Sequence, residues 1–258
     1  MPLDGPSDTV AAPAAPADCT DPLYANYHAG MFKDVSGDIR VYGVSAEINP
    51  PTLDYFDVCR GYEPSPHNGV SSWVGIQPGS ANDYGPDAIL QIGYVNCHEV
   101  LSSADWCEDG NDIHAFWAVK GCGYAYIKNI ADLDTAARTF KLESVYISGL
   151  TYFRGYIDGV QKFQIAQGDP ALTCWIHGDT KGVWAGELHD GGDSYGSGAV
   201  STGLWQSSAK FRVIQGNWLY TDWDANGGCH QGPRDSDNSN HVCDVTTSTQ
   251  FKLYSVPN

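Results

Sequence analysis

Two polar residues set into apolar strand patterns offer this sequence its most specific chemistry. In Asp87-Ala-Ile-Leu-Gln91-Ile-Gly-Tyr94 the period of two puts Ile89, Gln91 and Gly93 on one face, so Gln91 interrupts an apolar row. In Val183-Trp-Ala-Gly-Glu187-Leu188 a carboxylate follows small residues that leave room beside it. A carboxylate and a carboxamide suffice for hydrolysis without a metal. The carboxylate takes a proton from water as it attacks a carbonyl, then returns it to the leaving amine. The amide N–H donates to the oxyanion, a role worth roughly 10²–10³ in rate. Nothing in the spacing brings two residues so far apart in the chain together, and two ordinary outward-facing polar side chains are the plainer reading.

Other motifs fall away on their context. Gly192-Asp193-Ser194-Tyr195-Gly196 matches the nucleophile elbow of serine hydrolases, but no helical period follows the Ser, as that motif requires. Asp222-x-Asp224-x-Asn226-Gly227 opens like a calcium loop. Its twelfth position is Pro233 instead of a bidentate Glu, so an EF-hand is excluded and only a looser oxygen site with Asp235 and Asp237 stays open. The 8 His form no H-x-x-x-H pair, and Cys97-His98-Glu99 lacks the rest of a deaminase signature. No metal and no cofactor are expected.

The elements that must position Gln91 and Glu187 read as strands. Tyr42, Val44, Ala46 and Ile48 alternate within 38–48. Further strands are expected at 71–76, 87–95, 113–120, 138–148, 150–157, 160–166, 172–177, 182–188, 209–215 and 249–255. Asp158-Gly159 joins two alternating runs and suits a type I′ hairpin turn. Helical period is limited to a turn or two near 129–137. Many short strands with Gly, Pro, Asn and Asp between them indicate an all-β sandwich or barrel. The Pro/Ala-rich stretch 1–20 reads as a tail or linker. Residues 21–258 read as one domain, with a Cys-bracketed loop at 222–244.

Charge bounds the partners. With 31 acidic and 14 basic side chains the formal charge is −17, and no Lys/Arg stripe is visible along the chain, so nucleic acid and anionic membrane are excluded as partners. The 8 Cys are even in number and form no C-x-x-C knuckles, which favours disulfides and an oxidising compartment. Cys97 with Cys107 and Cys229 with Cys243 are the local pairings. The first residues have neither a basic nor an apolar segment of a signal peptide, so a secreted location implies that an export signal has been removed.

The patches around the two polar residues resemble the glutamic peptidases in two forms. SSWVGI at 71–76 followed by AILQIGYVNC at 88–97, with Cys97 six positions after Gln91, is similar to the eqolisin type. Trp184-Ala-Gly-Glu187-Leu188, Tyr195-Gly-Ser-Gly198, Ala209-Lys-Phe-Arg212 with Ile214-Gln215, and the strand from Tyr42 to Asn49 resemble the neprosin type. The resemblance implies a double, concanavalin-like (jelly-roll type) β-sandwich with antiparallel sheets and a catalytic pair, Gln91 and Glu187. Trp73, Phe116, Trp117, Trp184 and Tyr195 would line the substrate. The chain departs from the eqolisin pattern at Gln77-Pro78-Gly79 and where Phe116 and Ala118 replace a Trp and a Glu, which leaves subsite specificity open. The expectation is a secreted, metal-independent, monomeric endopeptidase acting on peptide or protein substrate at acid pH. The alternative is a non-catalytic, carbohydrate- or surface-binding sandwich. A glycoside hydrolase or lyase on the same fold would need a second carboxylate within roughly 5–10 Å of Glu187.

Overall fold

The computed structural model describes residues 27–33, 41–50, 54–55, 68–78, 88–98, 112–134, 136–173, 175, 180–188, 193–194, 204–213, 217–223, 230–231 and 241–255. Among these the regular elements are all strands. In chain order they are β1 (Tyr27–Lys33), β2 (Gly43–Ile48), β3 (Asp54–Tyr55), β4 (Asn68–Pro78), β5 (Ile89–His98) and β6 (Asp112–Gly121). Then come β7 (Tyr124–Asp132), β8 (Arg138–Ile147), β9 (Leu150–Ile157), β10 (Val160–Ala166), β11 (Thr180–Leu188) and β12 (Asp193–Ser194). The last are β13 (Leu204–Arg212), β14 (Leu219–Tyr220), β15 (His230–Gln231), β16 (His241–Thr247) and β17 (Gln250–Ser255).

Fifteen of them form two antiparallel sheets, and β3 pairs with β12 in a separate two-stranded one. The 7-stranded sheet runs β15-β1-β11-β4-β5-β6-β7, and the 8-stranded sheet runs β10-β9-β8-β2-β13-β17-β16 with β14 beside β13. The chain is therefore an all-β double sandwich of the concanavalin-like kind, as expected. Alternation decides which side chains meet between the sheets. From the 7-stranded sheet come Val70, Val74, Ile76, Leu90, Ile92, Tyr94 and Trp184; from the other come Val44, Ala46, Ile48, Phe140, Leu142, Phe251 and Leu253. All fourteen are fully buried, and burying each large one stabilises the fold by about 1.5–3 kcal/mol. Polar reach across the core is sparse and specific. Trp184 Nε1 donates to Ser45 O at 3.1 Å. The Gln206 side-chain amide donates to Ala185 O at 2.8 Å and Ser72 Oγ at 3.0 Å, tying β13 to β11 and β4.

Turn chemistry sets the hairpins. Asp158 and Gly159 both take positive φ, 50° and 79°, as the type I′ turn demands. Ser148-Gly149 joins β8 to β9, and Cys122-Gly123 joins β6 to β7, in the same way. Asp158 fixes its own turn further by accepting Thr139 N–H at 2.9 Å.

Three local expectations are corrected. Among the described residues of 129–137 there is no helical turn: the first of them end β7, an edge strand whose polar side chains hide its alternation. Residues 171–173 form a turn in place of the start of a strand, because the Asp169 carboxylate accepts Ala171 N–H at 3.0 Å just after the backbone passes Pro170. The end of the 222–244 stretch is not loop but the first part of β16, paired with β17. Most of that loop, the 1–20 tail, and three of the four residues in the proposed Cys pairs have no described side chains; no described cysteine is free.

Candidate functional site

The face of the 7-stranded sheet turned away from the core collects the residues singled out for chemistry. Residues opposite one another across an antiparallel ladder point to the same side, so the register maps this face row by row. One row reads Glu187, Ser71, Val95, His114 and Asp132 across β11, β4, β5, β6 and β7. The next same-face row reads Ala185, Trp73, Gly93 and Phe116, and the one after it Val183, Gly75, Gln91, Ala118 and Ile127.

This face is apolar beneath and polar in part above. Trp73, Val95, Phe116, Val183 and Ala185 form a second buried cluster, separate from the core, with Ile89, Ala118 and Ile127 packed against it. Gly75 leaves room for the Trp73 ring: a Cβ at that position would stand 3.2 Å from Trp73 Cζ3 and 3.1 Å from Ile89 Cδ1. Gln91 and Glu187 are half-buried. Between them on β4, Ser71 Oγ and Trp73 Nε1 are buried, at 2% and 5% residue exposure, and neither has a hydrogen-bond partner among the described residues. An unpaired buried hydroxyl or indole N–H costs about 1–3 kcal/mol, so its presence calls for an explanation. At the far end of the first row, His114 Nδ1 lies 2.9 Å from Asp132 Oδ1; the imidazole is buried and the carboxylate exposed.

Gln91 and Glu187 thus share a face, as parity required, but they do not meet. They lie two strands and four register positions apart, a Cα separation of about 16 Å from strand spacing and rise. Side chains stand roughly perpendicular to a sheet, so a carboxamide and a carboxylate so placed hold no common water. The position of β11 in Gln91's row is Val183, which has no proton to move.

Two expected substrate contacts also change place. Trp184 faces the core, fully buried, with its ring edge-on to Trp223 at 5.3 Å. Trp117 likewise points inward and stacks on Phe163 at 4.4 Å. In both, the alternation of the strand puts the residue next to an outer-face one into the core. Trp73 and Phe116 are on the outer face but buried, so they floor it. Tyr195 lies outside the described residues. Sequence reasoning missed Ser71, His114 and Asp132. Parity with Trp73 and Phe116 was the signal that would have found the first two; Asp132 needed the register of a strand that was not foreseen.

No protein-family model matches the chain, and no curated protein does. Solved structures do. A glycoside hydrolase family 16 endo-glucanase from Bacteroides ovatus is similar at 11% identity and TM-score 0.36, over 64% of this chain and 66% of that one. The catalytic domain of an endo-1,3-β-glucanase (laminarinase) from Thermotoga petrophila is similar at 10% identity and TM-score 0.38, over the same shares, 64% and 66%. An alginate lyase from an Alteromonas species is similar at 9% identity and TM-score 0.27, over 65% of this chain and 53% of that one. These are loose superpositions, and no residue role is transferred from them.

The endopeptidase expectation is corrected accordingly. The register separates the Gln91/Glu187 pair that the mechanism needs. What falls is the protease activity with its dyad; the motif likeness to glutamic peptidases stays a likeness of sequence.

Proposed function

We propose that this protein is a carbohydrate-recognising β-sandwich that holds a glycan chain against the outer face of its 7-stranded sheet. The observation that carries the reading is the polar line Glu187, Ser71, Trp73 Nε1, Gln91, laid obliquely over an apolar floor, with its two middle atoms unpaired. A compact catalytic pair would need its groups at hydrogen-bond reach. A line about 16 Å long suits instead an extended ligand with a hydroxyl at each step, each able both to donate and to accept. Hydrolysis by two carboxylates is less well supported. Along Glu187's own row the next carboxylate is Asp132, four strands or about 19 Å away, against the roughly 5–10 Å that glycosidases use.

Calorimetric titration with neutral β-glucan oligosaccharides tests the proposal. Binding by the wild type, weakened about tenfold or more by Gln91→Ala or Glu187→Gln through the loss of buried hydrogen bonds, is the expected result. Equal affinity in the wild type and both variants would overturn it. Release of new reducing ends, lost in Glu187→Gln, would move the reading from binding to cleavage.

A further inference from the structure

The outer face of the 8-stranded sheet carries a second arrangement, independent of the reading above. Its register lines up Tyr156, Lys141, Ser45, Lys210 and Tyr220 in one row across β9, β8, β2, β13 and β14. Each lysine is held over the tyrosine next to it: Lys141 Nζ lies 3.7 Å from the Tyr156 ring centre, and Lys210 Nζ 4.6 Å from that of Tyr220. The neighbouring same-face row is Arg154, Glu143, Gly43 and Arg212. Trp218 lies across it, because Gly43 has no side chain: a Cβ there would stand 2.8 Å from Trp218 Cη2. The Trp218 ring is 5.8 Å from Lys141 Nζ and 5.6 Å from the Arg212 guanidinium. Lys141 and Arg212 share one carboxylate, Glu143, at 3.2 Å each.

Charge on this face runs against the chain as a whole. Lys141, Lys210, Arg154 and Arg212 stand beside two carboxylates, Glu143 and the exposed Glu47 one same-face step beyond Ser45, in a protein of formal charge −17. The linear sequence hides this strip because its cations come from three different strands. Cation–π contact fixes each charged head at about 0.5–1 kcal/mol without neutralising it. Lys141 and Lys210 are two strands apart, about 10 Å, and exposed aromatic surface accompanies them: Tyr220 is 60% exposed.

We infer that this strip docks an acidic glycan, a chain of uronate sugars whose carboxylates meet Lys141 and Lys210 while its sugar faces lie on Tyr156, Trp218 and Tyr220. Among the described residues the strip has an excess of two cations, which matches a polymer whose charges stand a sugar ring apart. A polyphosphate, whose charges follow at a much shorter repeat, would meet stronger repulsion from the rest of this acidic surface.

The test is an affinity titration of the full chain at low salt with a labelled oligouronate, a neutral β-glucan oligosaccharide of equal length, and a single-stranded oligonucleotide. Lys210→Glu should weaken oligouronate binding by about tenfold or more, and added salt should weaken it in the wild type. Tyr220→Ala, at an exposed site where folding is not at stake, should weaken it several-fold by the loss of stacking and of the fixed Lys210 head. Neither should change neutral-glucan binding, and Glu187→Gln should leave oligouronate binding intact. The inference is overturned if both strip variants bind oligouronate as the wild type does, if the loss follows Glu187→Gln instead, or if the oligonucleotide binds more tightly than the oligouronate.

Discussion

The two outer faces of this sandwich are built from the same kind of strand and treat water in opposite ways. On the 7-stranded sheet, Trp73, Val95, Phe116 and Val183 are buried although they point away from the core, and two polar atoms among them go unpaired. On the 8-stranded sheet, the equivalent positions carry Lys141, Glu143, Lys210 and Arg212, each with its charge answered by an opposite charge or an aromatic ring. An outer face rich in apolar side chains is a second packing surface, and its leftover polar atoms mark where a ligand would complete it. A charged outer face is finished in its own right, and a ligand there can only join a network that already stands.

The largest test of that contrast is truncation. Phe116→Ala removes a ring with 2% exposure and should cost about 3–5 kcal/mol. Tyr220→Ala, on the other face and 60% exposed, should stay within about 0.5 kcal/mol. Denaturant melts of the two variants decide it. Similar losses would mean that the faces do not differ as described.

Next in size is the hydroxyl left alone. If Ser71 Oγ is buried without a partner, Ser71→Ala removes an unsatisfied group and should raise stability by about 1 kcal/mol, seen as roughly 2–4 °C in Tm for a chain of this size. The same change should weaken glycan binding. A fall in Tm would show that the hydroxyl is already satisfied in the free protein, and the case for a ligand at that point would lose its main support.

Much of this fold was legible along the chain, and the limit lies in one physical quantity. Alternation gave β9 and β10 to the residue and β6 and β8 to within one, and Asp158-Gly159 fixed the turn between the first two. Register was the missing quantity: Gln91 and Glu187 are related only through β4, and a shift of two residues in either ladder would alter their separation without changing any face. β7 escaped because it is an edge strand, with a register break opposite Ala115 and Phe116 and with Tyr124, Lys128 and Asn129 in its run. The cationic strip escaped for the same reason as the false dyad, since it exists only across strands.

The smallest effect belongs to the rim between the two faces, where Arg138 joins the start of β8 to the β9–β10 hairpin. Its guanidinium donates to both oxygens of Asp134, at 2.9 and 3.0 Å, and to Asp158 Oδ2 at 3.1 Å. The hydrogen bonds from Arg138 hold the Asp134 carboxyl below the usual carboxylate range. A carboxyl whose folded value is depressed adds stability above its unfolded value, about 3.9, and that stability is lost as pH falls through the folded value. Arg138→Gln should therefore lower Tm slightly at neutral pH, by little because the pair is exposed and screened, and the gap from the wild type should close below about pH 4. A gap that stays constant from pH 7 to pH 3 would mean that Arg138 acts by packing alone. In that case the rim resembles the apolar face more than the charged one, and the division of the sandwich into two chemistries would have to be redrawn at its edge.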